Sequence, residues 1–226
     1  MKLHIYIEDS KSFYYILPTW LETLLPSYIA FPPENISDMV ENSYVLFSGF
    51  GYPNMLGLNL RDAIEKVVKY DLDLLIICLD GDDDGVAARK NTVHDAISNY
   101  FPEFCKYEVF VLNKCAETWL MGNRKIFTGA PSPDFTEYWK YYNINIYDPE
   151  LMDKPIAFSK STSIYHEKYL KNMLKEKQIN YKKSNPPKEV KSEYYLNELR
   201  KRIEMTTHLN SFKTFVDFFC KLHTQA

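Results

Sequence analysis

The chain has 226 residues, of which 46% are hydrophobic and 25% charged, which excludes a disordered tail or a fibre and suits one folded domain with an appendage or two small domains. Four cysteines without a C-x-x-C pair exclude a disulfide scaffold and fit reduced thiols, the opening Met1–Glu8 meets acid too early for a secretory signal, and no apolar stretch reaches membrane-spanning length, so a cytoplasmic protein is expected. The net charge of −3 hides an asymmetry: residues 1–159 carry 13 Lys/Arg against 23 Asp/Glu, a net −10, whereas residues 160–226 carry 14 against 7, a net +7.

Leu3 to Ile7 reads as a short strand ending at Glu8-Asp9-Ser10, and a helix over 12–25 follows, stopped by Pro26. Ser10 and Ser12 are expected as caps of that helix. Residues 43–48 read as a second strand, followed by a loop through Gly49, Gly51 and Gly57. Residues 60–70 have helical spacing, with Leu60, Ile64, Val67 and Val68 on one side.

The apolar run Leu74 to Leu79 then ends abruptly in Asp80, Asp82, Asp83 and Asp84, with Gly81 and Gly85 allowing a tight turn. If the backbone stays extended, the side chains of Asp80 and Asp82 leave the same face, close enough to share a hard cation such as Mg²⁺. A calcium loop is the sharper rival, but its twelfth position would be Asn91 rather than a bidentate Glu, and the preceding segment reads as a strand. A helix over 86–100, a strand over 107–112 and a helix beginning at 116–121 complete an alternation that predicts a mainly parallel α/β sheet covered on both faces. In such sheets active groups gather at the carboxyl ends of strands, which is where Glu8 and Asp80 fall.

Beyond residue 125 prolines 131, 133, 149 and 155 mark loops, and helices are expected over 163–178, 192–205 and 211–222. The expected organisation is therefore an α/β domain over 1–125 and a mostly helical part over 126–226, either separate or packed on the first. Lys182-Lys183, Lys188, Lys191 and Arg200-Lys201-Arg202 of the basic part could contact phosphates or simply be solvated. Lys114, Arg124 and Lys125 could stabilise a leaving phosphate or balance nearby acids. His94 has no second His at metal-ligand spacing, which argues against zinc.

A Glu ending the first strand (Ile5-Tyr6-Ile7-Glu8) with Asp80-Gly81-Asp82 after a later strand resembles the TOPRIM domain, a Rossmann-like α/β fold shared by topoisomerases, primases and OLD-family nucleases. Cys115 to Gly122, which contains Glu117-Thr118-Trp119-Leu120, and the closing Ser211 to Val216 are similar to segments of RloB-like TOPRIM proteins of bacterial defence loci. The resemblance implies a Mg²⁺ (or Mn²⁺)-dependent nuclease acting on DNA or RNA, with a place in antiphage defence. It implies catalytic roles for Glu8, Asp80, Asp82 and Glu117, with the metal held by Glu8, Asp80, Asp82 and Asp84. Two departures stand out: Asp9 replaces a common Gly, and Ser12 takes the place of a further acid that OLD-type nucleases often carry, leaving Asp84 or Glu117 to supply the missing ligand. Two other readings compete. One is a non-catalytic TOPRIM-fold sensor or adaptor working with a separate ATPase partner, since the chain has no G-x-x-x-x-G-K-[ST]. The other is a haloacid-dehalogenase-like phosphatase, whose Asp-x-Asp normally ends the first strand.

Overall fold

A computed structural model describes residues 1–8 and 10–225; Asp9, one of the two departures noted above, lies outside the described residues. The chain alternates β1 (Lys2–Ile7), α1 (Ser12–Leu24), β2 (Ile29–Phe31), β3 (Ser43–Ser48), α2 (Leu58–Lys69), β4 (Leu74–Asp80), α3 (Val86–Tyr100), β5 (Tyr107–Leu112) and α4 (Ala116–Leu120). It continues through α5 (Pro133–Tyr141), α6 (Thr162–Lys175), α7 (Lys188–Lys191), α8 (Glu193–Met205) and α9 (Asn210–Gln225), with short 3₁₀ turns between. The five strands form one all-parallel sheet in the order β2-β3-β1-β4-β5. This is the expected α/β class with a helical C-terminal part.

Side chains alternate along the strands, so the sheet buries two faces. Leu3, Ile5, Ile7, Ile76 and Cys78 point to one side, into a core with Trp20 of α1, Trp119 of α4, Tyr169 of α6, Leu196 of α8 and Phe212, Phe215 and Phe219 of α9. Tyr6, Val45, Ile77 and Leu79 point to the other, against Ile64 and Val67 of α2 and Val93 and Ile97 of α3. With apolar cover on both sides, β4 reads as an unbroken hydrophobic run rather than an alternating one. The C-terminal helices thus share a core with the sheet.

Several elements differ from expectation for identifiable reasons. The edge strand β2 is largely exposed and only three residues long, Ile29–Phe31, too short for an alternation to register. Pro133, read as a loop marker, sits in the first turn of α5, where its missing N–H costs nothing. Val68, expected on the buried side of α2, is 67% exposed, because the face that meets the sheet is narrower than the apolar spacing suggests.

The connections leave two neighbouring strands in opposite directions. From β1 the chain passes outward to β2, and from β4 it passes the other way to β5, although β1 and β4 are hydrogen-bonded neighbours. The crevice above their carboxyl ends is therefore a topological switch point, the usual place for a site in an open α/β sheet.

Candidate functional site

Glu8 follows β1 directly and Asp80 ends β4, so the parallel register that pairs Ile7 with Cys78 sets both acids at the same crevice. The Glu8 N–H donates to the Cys78 carbonyl at 2.8 Å, and the Asp80 N–H donates to Glu8 Oε2 at 2.9 Å. Burial pushes the Asp80 carboxyl well above the usual carboxylate range; Glu8, Glu117 and Asp82 push the same way, while Lys183 opposes them. Between Glu8, Ser12, Cys78, Asp80 and Lys183 lies a small cleft of about 20 Å³, room for one water-sized occupant.

The acidic turn departs from a simple extended strand. Regular pairing stops at Asp80, Asp82 takes a left-handed backbone (φ 45°), and Gly85 takes another (φ 83°) to start α3. As a result Asp82 does not continue the alternation that would place it beside Asp80. Its Oδ1 accepts from the Ser163 hydroxyl and its Oδ2 lies 3.4 Å from the Arg89 guanidinium. Asp84 pairs with the same Arg89 at 3.2 Å, and Asp83 accepts the Thr162 N–H at 3.1 Å with Lys154 3.7 Å away. These three acids fasten the turn to α3 and to the start of α6.

Glu117 is fully buried in the first turn of α4, close enough to influence Asp80 electrostatically. Ser12 and Tyr181 donate to its Oε1 at 2.7 and 2.6 Å, and Lys183 Nζ lies 3.1 Å from Oε2. Burial would raise its pKa, but Lys183 and these hydroxyls outweigh that and hold it below the usual range. Lys183 is in turn raised above the ordinary lysine value: burial opposes its charge, and Glu117 more than compensates. Ser12 is therefore a ligand of Glu117 and not a helix cap; the cap position of α1 is Lys11, which makes no side-chain capping bond.

Other candidates fall elsewhere. Lys114 faces Asp153 at 3.4 Å. Arg124 and Lys125 form a 3₁₀ turn beside α8, sharing a cavity with Lys201 and Arg202. Arg202 is buried and donates to the carbonyls of Gly122, Ile144 and Tyr147, so it ties loops together. His94 Nδ1 shares a hydrogen bond with Tyr107, 2.8 Å away.

Among the described residues no three His, Cys, Asp or Glu side chains group as a metal cage; what the fold brings together is the pair Glu8 and Asp80, with Glu117 behind it. Two hard carboxylates suit Mg²⁺, which is commonly held by one or two carboxylates plus waters and substrate phosphate, and the cleft itself has room for the ion alone. Burial and the acids around Asp80 outweigh Lys183, an imbalance of the sign that such a cation offsets. Arg89 and Tyr181 carry structural roles here that no motif signalled, because their partners come from other elements. The chain matches no protein-family model, no curated protein and no solved structure.

Proposed function

We propose that the chain is a Mg²⁺-dependent nuclease that hydrolyses phosphodiester bonds of DNA or RNA, with Glu8 and Asp80 holding the cation. The observation that carries this reading is the 2.9 Å contact between the Asp80 N–H and Glu8 Oε2, which sets two acids from distant parts of the sequence side by side at the switch point of the sheet. When bound, a divalent ion would neutralise charge on the phosphate and lower the pKa of a bound water. Lys183, fixed by Glu117, lines the same cleft and adds positive charge there. Ser12 and Tyr181 keep Glu117 ionised and so hold Lys183 in place. The net +7 of residues 160–226 supports contact with a phosphate backbone. A place among TOPRIM nucleases of antiphage defence follows from the sequence resemblance alone.

The test is incubation of labelled DNA and RNA with purified protein in Mg²⁺ or Mn²⁺. Cleavage is expected in wild type and a loss of about 100-fold or more in Glu8→Ala and Asp80→Ala; undiminished cutting by both variants rejects the assignment. A second reading has its own support. Asp82, Asp84 and Glu117 are each neutralised by an internal cation, as suits a non-catalytic adaptor serving a separate ATPase. Calorimetric titration separates the two, since the adaptor would bind Mg²⁺ and Mn²⁺ negligibly.

A further inference from the structure

Beside the acidic crevice, one strand outward, the loop after β3 builds a second concavity. The Gly51 N–H donates to the Glu8 carbonyl at 2.6 Å, so this loop is anchored to the acidic site. Gly49 passes so close over Tyr6 and Met55 that a Cβ there would collide with both. Further along, the Arg89 guanidinium lies 3.4 Å from the centre of the Tyr52 ring, and Arg89 also pairs with Asp82 and Asp84. The loop is thus held at three points.

Between these anchors Phe50 adopts a left-handed backbone (φ 60°) and leaves its ring 72% exposed. Both features are unfavourable for a bulky apolar residue; the Ser48 hydroxyl accepts the Phe50 N–H at 3.2 Å and so holds the backbone in this conformation, which leaves the ring turned out to solvent. Phe50 stands at a cavity of about 290 Å³ walled by Tyr6, Tyr14 and Phe47. That is the lower end of ligand-pocket sizes, suited to one planar ring system. The cavity also has polar edges. His4 lies at its floor, fully buried, with both ring nitrogens lacking a well-formed hydrogen bond, and Asn59 and Asp62 lie on its rim, Asp62 paired with Lys66.

We infer that this pocket takes a nucleobase, stacked on Phe50, from the nucleotide next to the phosphate held at Glu8 and Asp80. The inference rests on the nuclease reading and deepens it: a base must leave its stack to enter, so the preferred substrate is a single strand or a frayed end rather than an intact duplex.

The test uses a short single-stranded oligodeoxynucleotide carrying one 2-aminopurine, and the matching RNA, with the full chain as Asp80→Asn so that turnover is blocked. Expected are a change in 2-aminopurine fluorescence, weaker binding of the matching duplex, and binding about 5- to 150-fold weaker on adding Phe50→Ala, the usual loss for one stacked base. Phe50→Trp should restore affinity. Because Phe50 is exposed, a folding defect is not expected, and circular dichroism checks it. Unchanged affinity in Phe50→Ala overturns the base pocket, and if wild type still cuts, the nuclease reading stands without it. If wild type neither cuts nor binds the oligonucleotides, free adenosine and thymidine monophosphates are titrated by NMR. Line broadening lost in Phe50→Ala then keeps the pocket and removes the nuclease; no perturbation overturns both.

Discussion

The surroundings of Asp80 disfavour its charged form, since burial and three neighbouring acids outweigh Lys183. Asp80→Asn should therefore raise stability in metal-free buffer above the pH at which the unfolded carboxyl ionises, as read by urea unfolding, while abolishing any stabilisation by Mg²⁺. Glu117 behaves oppositely. Its carboxyl is held below the ordinary 4.5, so its contribution is full above pH 4.5 and disappears as pH falls through the lowered folded value. The stability gap between wild type and Glu117→Gln should accordingly be wide at pH 6 and close on acidification toward pH 3. Removing the cation instead leaves a buried carboxylate unpaired, so Lys183→Met should cost about 3 kcal/mol at neutral pH, with part recovered in the double variant with Glu117→Gln. Glu8 and Asp80 could be picked out beforehand because an acid at the end of an apolar strand is a local pattern. Lys183 and Tyr181 could not be placed against Glu117, because nothing local marks a loop residue that reaches a partner far away in sequence.

Among the elements, α6 shows how the acidic turn is used. Thr162 opens this helix and donates from backbone and side chain to Asp83, whose carboxyl is held below its usual range by those bonds, with Lys154 and Lys114 helping against partial burial. An anion at a helix N-terminus is stabilising, so Asp83→Ala should lower stability by about 1 kcal/mol. Thermal melts compared with Asp84→Ala, which loses only the exposed side of a pair with Arg89, should show the larger effect at Asp83. The sequence offered roles to Asp82 and Asp84 as expected metal ligands and none to Asp83. Three adjacent aspartates offer the same functional group, and the approach of α3 and α6 gives them different tasks.

For the whole molecule, the C-terminal helices complete the sheet rather than append to it. Phe110 of β5 packs on Phe215, Phe218 and Phe219 of α9, and Glu150 accepts the Ser211 N–H at 3.1 Å at the start of that helix. Residues 1–125 expressed alone should therefore expose an apolar sheet face and aggregate, whereas the full chain should unfold in one cooperative transition by circular dichroism. The βαβ alternation was legible because strands buried on both sides give runs of apolar residues between helical spacings. How the later helices dock was not, since an amphipathic stripe shows that a face is covered but not by what. One consequence reaches beyond stability. A single guanidinium, that of Arg89, is pinned by the aspartates on one side and topped by Tyr52 on the other, so it serves as a shared rivet for two loops with different duties. Loss of that one side chain would slacken both at once, and damage there would resemble the failure of an entire region more than the removal of one charge.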